Sequence, residues 1–481
     1  MGAGAFAHCE RLTQWAHLCY HQRPTEECKL KVLRDIASGL LIVAAAVSVG
    51  LACCGAERAL DLMKYYAACV ALVVMGVGAL AAVVCPLVRV AKSGTGCAGL
   101  LNPAAGIFLH LGFFFVLAGW LIGLFCSPAE GSLRLRAGQV GSVAGEWNFA
   151  LDDFAIDHWP DTGTVRQYTS KGRVLPPSAD RASASEGERV VVAVNHPLVR
   201  KGWWVYQNSY QEMTNPHTGR PLYFTILLCV KDVGLPLVAL GGVLLVVGAL
   251  LWAARWTRQA ETGGEATTLP PILRGLYALA FAGAVAMLIH RGLSTGHAPM
   301  QNMYEFLMCS AAFIPVLTWL ELRGRRTPSS RTLLVDAALQ TLILIPVAFF
   351  MDGRVKHLMP ALQSPFFVPH VGAYVLGYIV LVRAALGVGR HLVGVGFFLL
   401  TVGLVLGATW GKVCWGHWWQ FDPKEMWSLA TWFVYAAYFH VRPRAMSRAE
   451  KAFLIAGAVM IVLTLTWINL SRLFTGMHSY A

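Results

Sequence analysis

Leu235-Pro236-Leu237-Val238-Ala239-Leu240-Gly241-Gly242-Val243-Leu244-Leu245-Val246-Val247-Gly248-Ala249-Leu250-Leu251-Trp252 contains no charged residue, and the uncharged run extends from Val233 to Ala254. Wound as a helix rising about 1.5 Å per residue, such a run is about 30 Å long, the thickness of the hydrocarbon of a bilayer. Comparable apolar runs recur near 38–54, 66–88, 105–126, 271–290, 303–322, 332–351, 370–388, 392–409, 427–441 and 452–470. The run at 427–441 is short for a full crossing. Backbone polar groups have no water to bond in hydrocarbon, so spans of this kind must be helical. The chain therefore reads as an α-helical polytopic membrane protein with about eleven transmembrane helices.

Composition agrees. Of the 481 residues, 56% are hydrophobic and only 14% charged, too few charges to solvate a globular domain of this size. The formal charge is +13. That balance would suit a nucleic-acid binder, but the basic residues sit in short loops between spans, so a lipid bilayer is the partner they serve. Arg11, Arg23, Lys29, Lys31 and Arg34 precede the first span, Arg89 and Lys92 follow the second, and Arg255 and Arg258 follow the fourth. Arg323, Arg325, Arg326 and Arg331 lie between the sixth and seventh, and Arg442, Arg444, Arg448 and Lys451 between the last two. With alternating spans all these loops fall on one side, which the positive-inside rule makes the cytoplasm. The N-terminus is then inside and the C-terminus outside. No cleavable signal peptide is evident, because the first apolar run starts late.

The one large polar segment, about 127–232, falls outside. Its short alternating stretches, such as Arg189–Val194 and Gly202–Tyr206, broken by Pro, Gly and Ser, predict an inserted β-rich domain, with a loop over Pro176–Glu188. Residues 255–270 read as a cytoplasmic linker between an N-terminal part, 1–254, and a C-terminal part, 271–481. Most of the 12 cysteines lie in or beside spans, as do Cys53, Cys54, Cys69, Cys85 and Cys309, and there is no CxxC or CxxCH pair. The chain is thus not a c-type cytochrome by the usual attachment motif.

The densest chemistry lies in the segment of about 410–428: Trp410-Gly411-Lys412-Val413-Cys414-Trp415-Gly416-His417-Trp418-Trp419-Gln420-Phe421-Asp422-Pro423-Lys424-Glu425-Met426-Trp427. An interfacial aromatic belt needs only scattered rings. It does not account for this density, nor for Asp422, Lys424 and Glu425 among the rings. A large flat aromatic ligand with two carboxylates does: Trp415, Trp418, Trp419 and Phe421 can stack on it and Lys424 can pair with a carboxylate. Haem is such a ligand, and its iron takes imidazole. His370 opens the eighth span on the outer side and His478 sits in the outer tail, both on the side of the Trp-rich loop. A second pair lies within the membrane. His110 is near the start of the outward third span and His440 near the end of the inward tenth, at similar depth, where an imidazole calls for a partner. His290, His297, His357, His391 and His417 are weaker candidates, read most simply as loop or interface residues.

These residues resemble the fused ResB–ResC (CcsB–CcsA) family of system II cytochrome c synthases. Trp415–Trp427 resembles its tryptophan-rich WWD segment, and Gln301-Asn302-Met303-Tyr304-Glu305-Phe306 its Asn-x-Tyr-Glu element. Pro360-Ala361-Leu362-Gln363-Ser364-Pro365 and His478-Ser479-Tyr480 match further elements, and Asn195-His196-Pro197 with Lys201-Gly202 and Tyr206-Gln207 resembles the external domain of the ResB part. Phe421 departs from the pattern, standing where the family usually has a Trp. The resemblance implies haem b as substrate and bound ligand, taken up at His110 and His440, and presented outside beside the WWD segment, where Trp427 also lies, with His370 and His478 on the iron. It implies holocytochrome c synthase activity of the lyase type on apocytochrome c CxxCH motifs, with thiol-reducing partner proteins, in a bacterial cytoplasmic membrane. Two other readings belong to different classes: a haem transporter or chaperone without ligation activity, and a membrane b-type haem electron-transfer subunit.

Overall fold

A computed structural model describes residues 98–128, 130–178, 187–214, 216, 219–259, 270–323, 330–441 and 447–470. The expected spans at 38–54 and 66–88, the cysteines in them and His478 lie outside these residues. The helices are α1 (Ala98–Cys126), α2 (Leu235–Gln259), α3 (Pro271–Thr295), α4 (Met303–Arg323), α5 (Ser330–Phe349), α6 (Phe367–Ala385), α7 (Val393–Trp415), α8 (Pro423–Val441) and α9 (Arg448–Leu470). Eight of them are long and apolar enough to cross a membrane. The exception is α8, which carries Lys424, Glu425 and His440 and corresponds to the short run. The protein is a multi-pass membrane protein with a β domain inserted between α1 and α2. Two boundaries differ from the sequence reading. The fourth span continues as helix through 255–259, because nothing in Arg255–Gln259 breaks it, and α7 runs to Trp415, so the loop proper of the Trp-rich segment is only 416–422.

The β domain holds eight strands: β1 (Gly131–Leu135), β2 (Val140–Val143), β3 (Trp147–His158), β4 (Val165–Leu175), β5 (Glu188–Ala193), β6 (Leu198–Arg200), β7 (Trp203–Thr214) and β8 (Pro221–Lys231). They form two antiparallel four-stranded sheets, ordered β1-β8-β7-β6 and β2-β3-β4-β5. Alternation sets the faces: Thr225, Leu227 and Cys229 on β8 and Trp203 and Val205 on β7 point inward, and meet Trp147, Phe149 and Leu151 of β3 in one core. A buried network joins the sheets, with Ser170 Oγ donating to Gln207 Oε1 (2.6 Å) and to Thr225 Oγ1 (2.9 Å).

Helices α1 and α2, on either side of this insertion, pack backbone against backbone. A Cβ added at Gly241 would lie 2.6 Å from the Gly112 carbonyl oxygen, and one at Gly248 2.7 Å from the Leu109 nitrogen. Without a hydrophobic drive between helices in lipid, small residues that permit close approach select the partner. Gly241 and Gly248 therefore seat α2 on α1, at Gly112 and at Leu109 next to His110.

The molecule has two polar ends. At one, the β domain meets the loops before α6 and before α8. His357 pairs with Asp161 at 2.6 Å while stacked on Trp159 at 4.4 Å, and the His357 hydrogen bond holds the Asp161 carboxyl below the usual range. At the other end Arg390 pairs with Glu450 at 2.9 Å and accepts the Trp256 indole N–H on its carbonyl. Toward the second end Arg383, fully buried on α6, is held by Asp336 of α5 (2.7 Å) and Glu321 of α4 (3.2 Å), so the helix bundle carries its one fully buried guanidinium, among the described residues, with both partners.

Candidate functional site

His370 lies in the first turn of α6 and packs into a notch on α7. Its Nδ1 donates to the Gly403 carbonyl at 2.8 Å, and a Cβ added at Gly407 would fall 2.5 Å from its ring. Because the acceptor is a carbonyl, Nδ1 carries the proton, and a neutral ring then has its lone pair on Nε2. Metal-ligating histidines are commonly oriented in this way. Trp410 stands edge-on to His370 at 5.7 Å and stacks on Trp415 at 6.1 Å, and its indole donates to the Ala361 carbonyl at 3.2 Å.

The turn before α6 is gripped from the β domain. Asn195, held at φ 65°, donates from Nδ2 to the carbonyls of Pro360 (2.9 Å), Ala361 (3.1 Å) and Gln363 (3.1 Å). The stretch around Asn195 and the stretch around Pro360 are 165 residues apart in the sequence; in the fold they meet. Cys414, without a role in the sequence reading, is buried against Leu362, Phe367 and Trp410, where a thiol serves as a small hydrophobe.

In the loop 416–422 the rings separate. Trp418 donates its indole N–H to Asp232 Oδ2 at 2.9 Å. Trp419 and Phe421 pack with Met426 and Trp427, and Phe421 also stands edge-on to Trp120 of α1 at 6.2 Å. Trp427 is 4% exposed, and its indole N–H meets no hydrogen-bond acceptor among the described residues. A buried unsatisfied donor of this kind fits a carboxylate-bearing ligand. His417 approaches Glu130 at 3.4 Å; burial holds its imidazole below the ordinary histidine value, against the pull of Glu130.

Asp422 and Glu425 have a role the sequence reading did not assign. Asp422 Oδ1 accepts the Lys424 backbone N–H at 2.8 Å, while Glu425 Oε2 accepts the N–H groups of Gln420 (2.8 Å) and Asp422 (3.2 Å). This is a capping box with proline at the first helical position, and it starts α8. The Asn-x-Tyr-Glu element is a related cap at α4: Asn302 Oδ1 accepts from Glu305 N at 2.9 Å, and Glu305 Oε2 reaches one residue further back, to Gln301 N at 2.9 Å. Glu305, 0% exposed, is also paired with Arg291 at 3.0 Å. The spacing of N-cap and Glu three residues on was the signal available for both. Asp422→Ala should lower the midpoint of thermal unfolding by an amount equivalent to about 1 kcal/mol, and Asp422→Ser should recover most of it; equal midpoints for all three would remove the cap.

The second pair of histidines comes together. The His110 and His440 rings are 5.7 Å apart at 72°, and each donates from Nδ1 to a carbonyl of its own helix, Gly106 and Ala436, both at 2.7 Å. Two metal–nitrogen bonds of about 2 Å and two ring radii of about 1 Å would place two imidazoles on one metal with centroids about 6 Å apart. Among the described residues no group of three or more His, Cys, Asp and Glu could hold a bare metal ion; iron already held by a porphyrin requires only the two. Of the weaker candidates, His297 places its ring nitrogens against the Ala298 and Lys356 carbonyls (2.9 and 3.0 Å), and His357 pairs with Asp161, as interface residues do.

Two family models match the chain: one described as cytochrome C assembly protein over residues 387–478, and one described as the ResB-like family over residues 88–220. Proteins named cytochrome c biogenesis protein CcsA are similar to it. That of Parasynechococcus marenigrum (strain WH8102) is 30% identical, covering 49% of this chain and 92% of its own length. That of Synechococcus sp. (strain RCC307) is 29% identical over 51% of this chain and 95% of its own length. That of Chlamydomonas reinhardtii is 29% identical over 45% of this chain and 69% of its own length.

Proposed function

We propose, since this chain belongs to the CcsA family of cytochrome c biogenesis proteins and carries a ResB-like region, that it moves haem b across the membrane and presents it outside for covalent attachment to apocytochrome c. The observation that carries the reading is the pair His110 and His440, from opposite ends of the described chain, 5.7 Å apart with both Nδ1 atoms committed to carbonyls. Haem would enter there and pass to the outer site, where His370 and His478 hold iron, Trp415, Trp418, Trp419, Phe421 and Trp427 surround the ring, and Lys424 faces a propionate. The positive-inside pattern supports a cytoplasmic N-terminus and an external C-terminus, with the β domain and loop 416–422 outside.

A thioether forms when a thiol S–H adds across a haem vinyl C=C, sulfur to one carbon and hydrogen to the other, with no net redox change. Haem and the CxxCH thiols carry that reactivity. The protein's work is to hold the vinyls over the two thiols, which must arrive reduced from thiol-reducing partners, and to exclude other geometries. The incoming CxxCH imidazole would replace one axial histidine and so set the register.

The test is expression with an apocytochrome in a host lacking its own maturation system, followed by staining for covalent haem. Stained cytochrome is expected. Haem delivered to the outer side without stained product would make the protein a transporter, and haem that never leaves the chain would make it an electron-transfer subunit.

A further inference from the structure

Asp232 stands between β8 and α2, at the base of the external domain. Its Oδ2 accepts from Lys412 Nζ and from Trp418 Nε1, both at 2.9 Å, and its Oδ1 accepts the Gly234 N–H at 3.0 Å. Lys412, in the last turn of α7, is 3% exposed and also donates to the Gly416 carbonyl at 3.0 Å. Gly416 in turn, at φ 90°, lies under Tyr206 of β7, whose ring a Cβ there would meet at 3.1 Å. The β domain thus holds both ends of the turn that leads into the Trp-rich loop. A buried ion pair contributes little net stability, because desolvation offsets attraction. What this one contributes is geometry: a single carboxylate oxygen fixes one indole and one ammonium.

From this arrangement we propose that Asp232 is a positioning residue of the outer haem site, setting the plane of Trp418 through its indole N–H, with Lys412 as counter-charge. The inference rests on the outer-site reading given above and adds to it that the external β domain shapes the haem cradle rather than only covering it. Asp232 touches neither haem nor substrate in this account and acts through Trp418.

The experiment uses the full chain in membranes. Asp232→Ala is expected to lower covalent attachment to a co-expressed CxxCH substrate about tenfold, the factor associated with one charge-assisted hydrogen bond. Trp418→Phe, which keeps a ring and loses the N–H, should fall similarly. The two together should fall no further than the worse single change, because both remove the same bond. Multiplied effects would overturn the proposal. Asp232→Ala leaves Lys412 buried without its carboxylate, so Asp232→Leu with Lys412→Met serves as a second variant that removes both charges; it should keep wild-type chain level and still lose attachment. Hydrogen exchange of the peptides spanning 411–422 is read in parallel. Faster exchange there in both variants is expected whether or not the chain attaches haem, and unchanged exchange would overturn the positioning role. If the unaltered chain makes no covalent product while exchange responds as expected, the proposed function fails and the positioning stands.

Discussion

His370→Ala should reduce covalent haem on a co-expressed apocytochrome by at least a hundredfold, while the chain still accumulates in the membrane. Loss of an axial imidazole removes a directional bond at the centre of the ligand. Loss of one ring from the loop removes stacking of about 1 kcal/mol beyond its buried area, so Trp415→Ala and Trp419→Ala should each weaken attachment only by degrees, while Trp418→Ala, which also loses the bond to Asp232, should lose at least the tenfold of Trp418→Phe. The notch that seats His370 allows a sharper version. A Cβ at Gly407 would lie 2.5 Å from the ring, so Gly407→Ala keeps the imidazole and displaces it. It should lose attachment nearly as far as His370→Ala does. Imidazole in the medium should partly restore His370→Ala, whose cavity is open, and not Gly407→Ala, whose cavity is filled. His478 lies outside the described residues, and its proposed role is tested beside the first: normal maturation in a His370→Ala, His478→Ala double variant would sink the outer-site model and leave the Trp-rich loop as an interfacial anchor.

The second large effect concerns the inner pair. His110→Ala or His440→Ala should lower the haem that copurifies with the chain at least tenfold, and maturation with it, because on the proposed reading the two imidazoles, 5.7 Å apart, would share one iron and neither would substitute for the other. Added imidazole should restore part of both. The purified protein should show a bis-imidazole spectrum, and acid–acetone should extract its haem, since the chain carries no CxxCH. Each histidine already bonds a carbonyl of its own helix, so a purely structural pair is the rival. It would show as full haem and full activity in both variants, with a lowered unfolding midpoint.

Much of this architecture is legible along the chain. The run 233–254 is a span because charge is costly in hydrocarbon at every position, and that cost is counted residue by residue. The strands of the β domain are legible for a similar reason, since a sheet with one buried face imposes a period of two on its own sequence. The similar depth of His110 and His440 follows from counting alternate spans. The caps at Asn302 and Asp422 are local as well, and were legible in principle. Asp422 and Glu425 sit among aromatic residues whose density points to a ligand, yet their own chemistry is a four-residue signal confined to the helix end.

What the sequence by itself determined, then, is everything set by local solvation and local periodicity: the multi-pass class, the inserted β domain, the depth of the histidines and the aromatic loop. The long-range partners of the buried polar groups were decided by the tertiary structure alone. Asn195 finds Pro360 at a separation of 165 residues, and Trp418 finds Asp232 at 186. Nothing in a residue's neighbours along the chain names the acceptor it will meet. That choice depends on which helices approach closely enough, and here on glycines: Gly407 leaves room for the His370 ring, Gly403 for the Tyr374 ring, and Gly241 and Gly248 let the α1 and α2 backbones close.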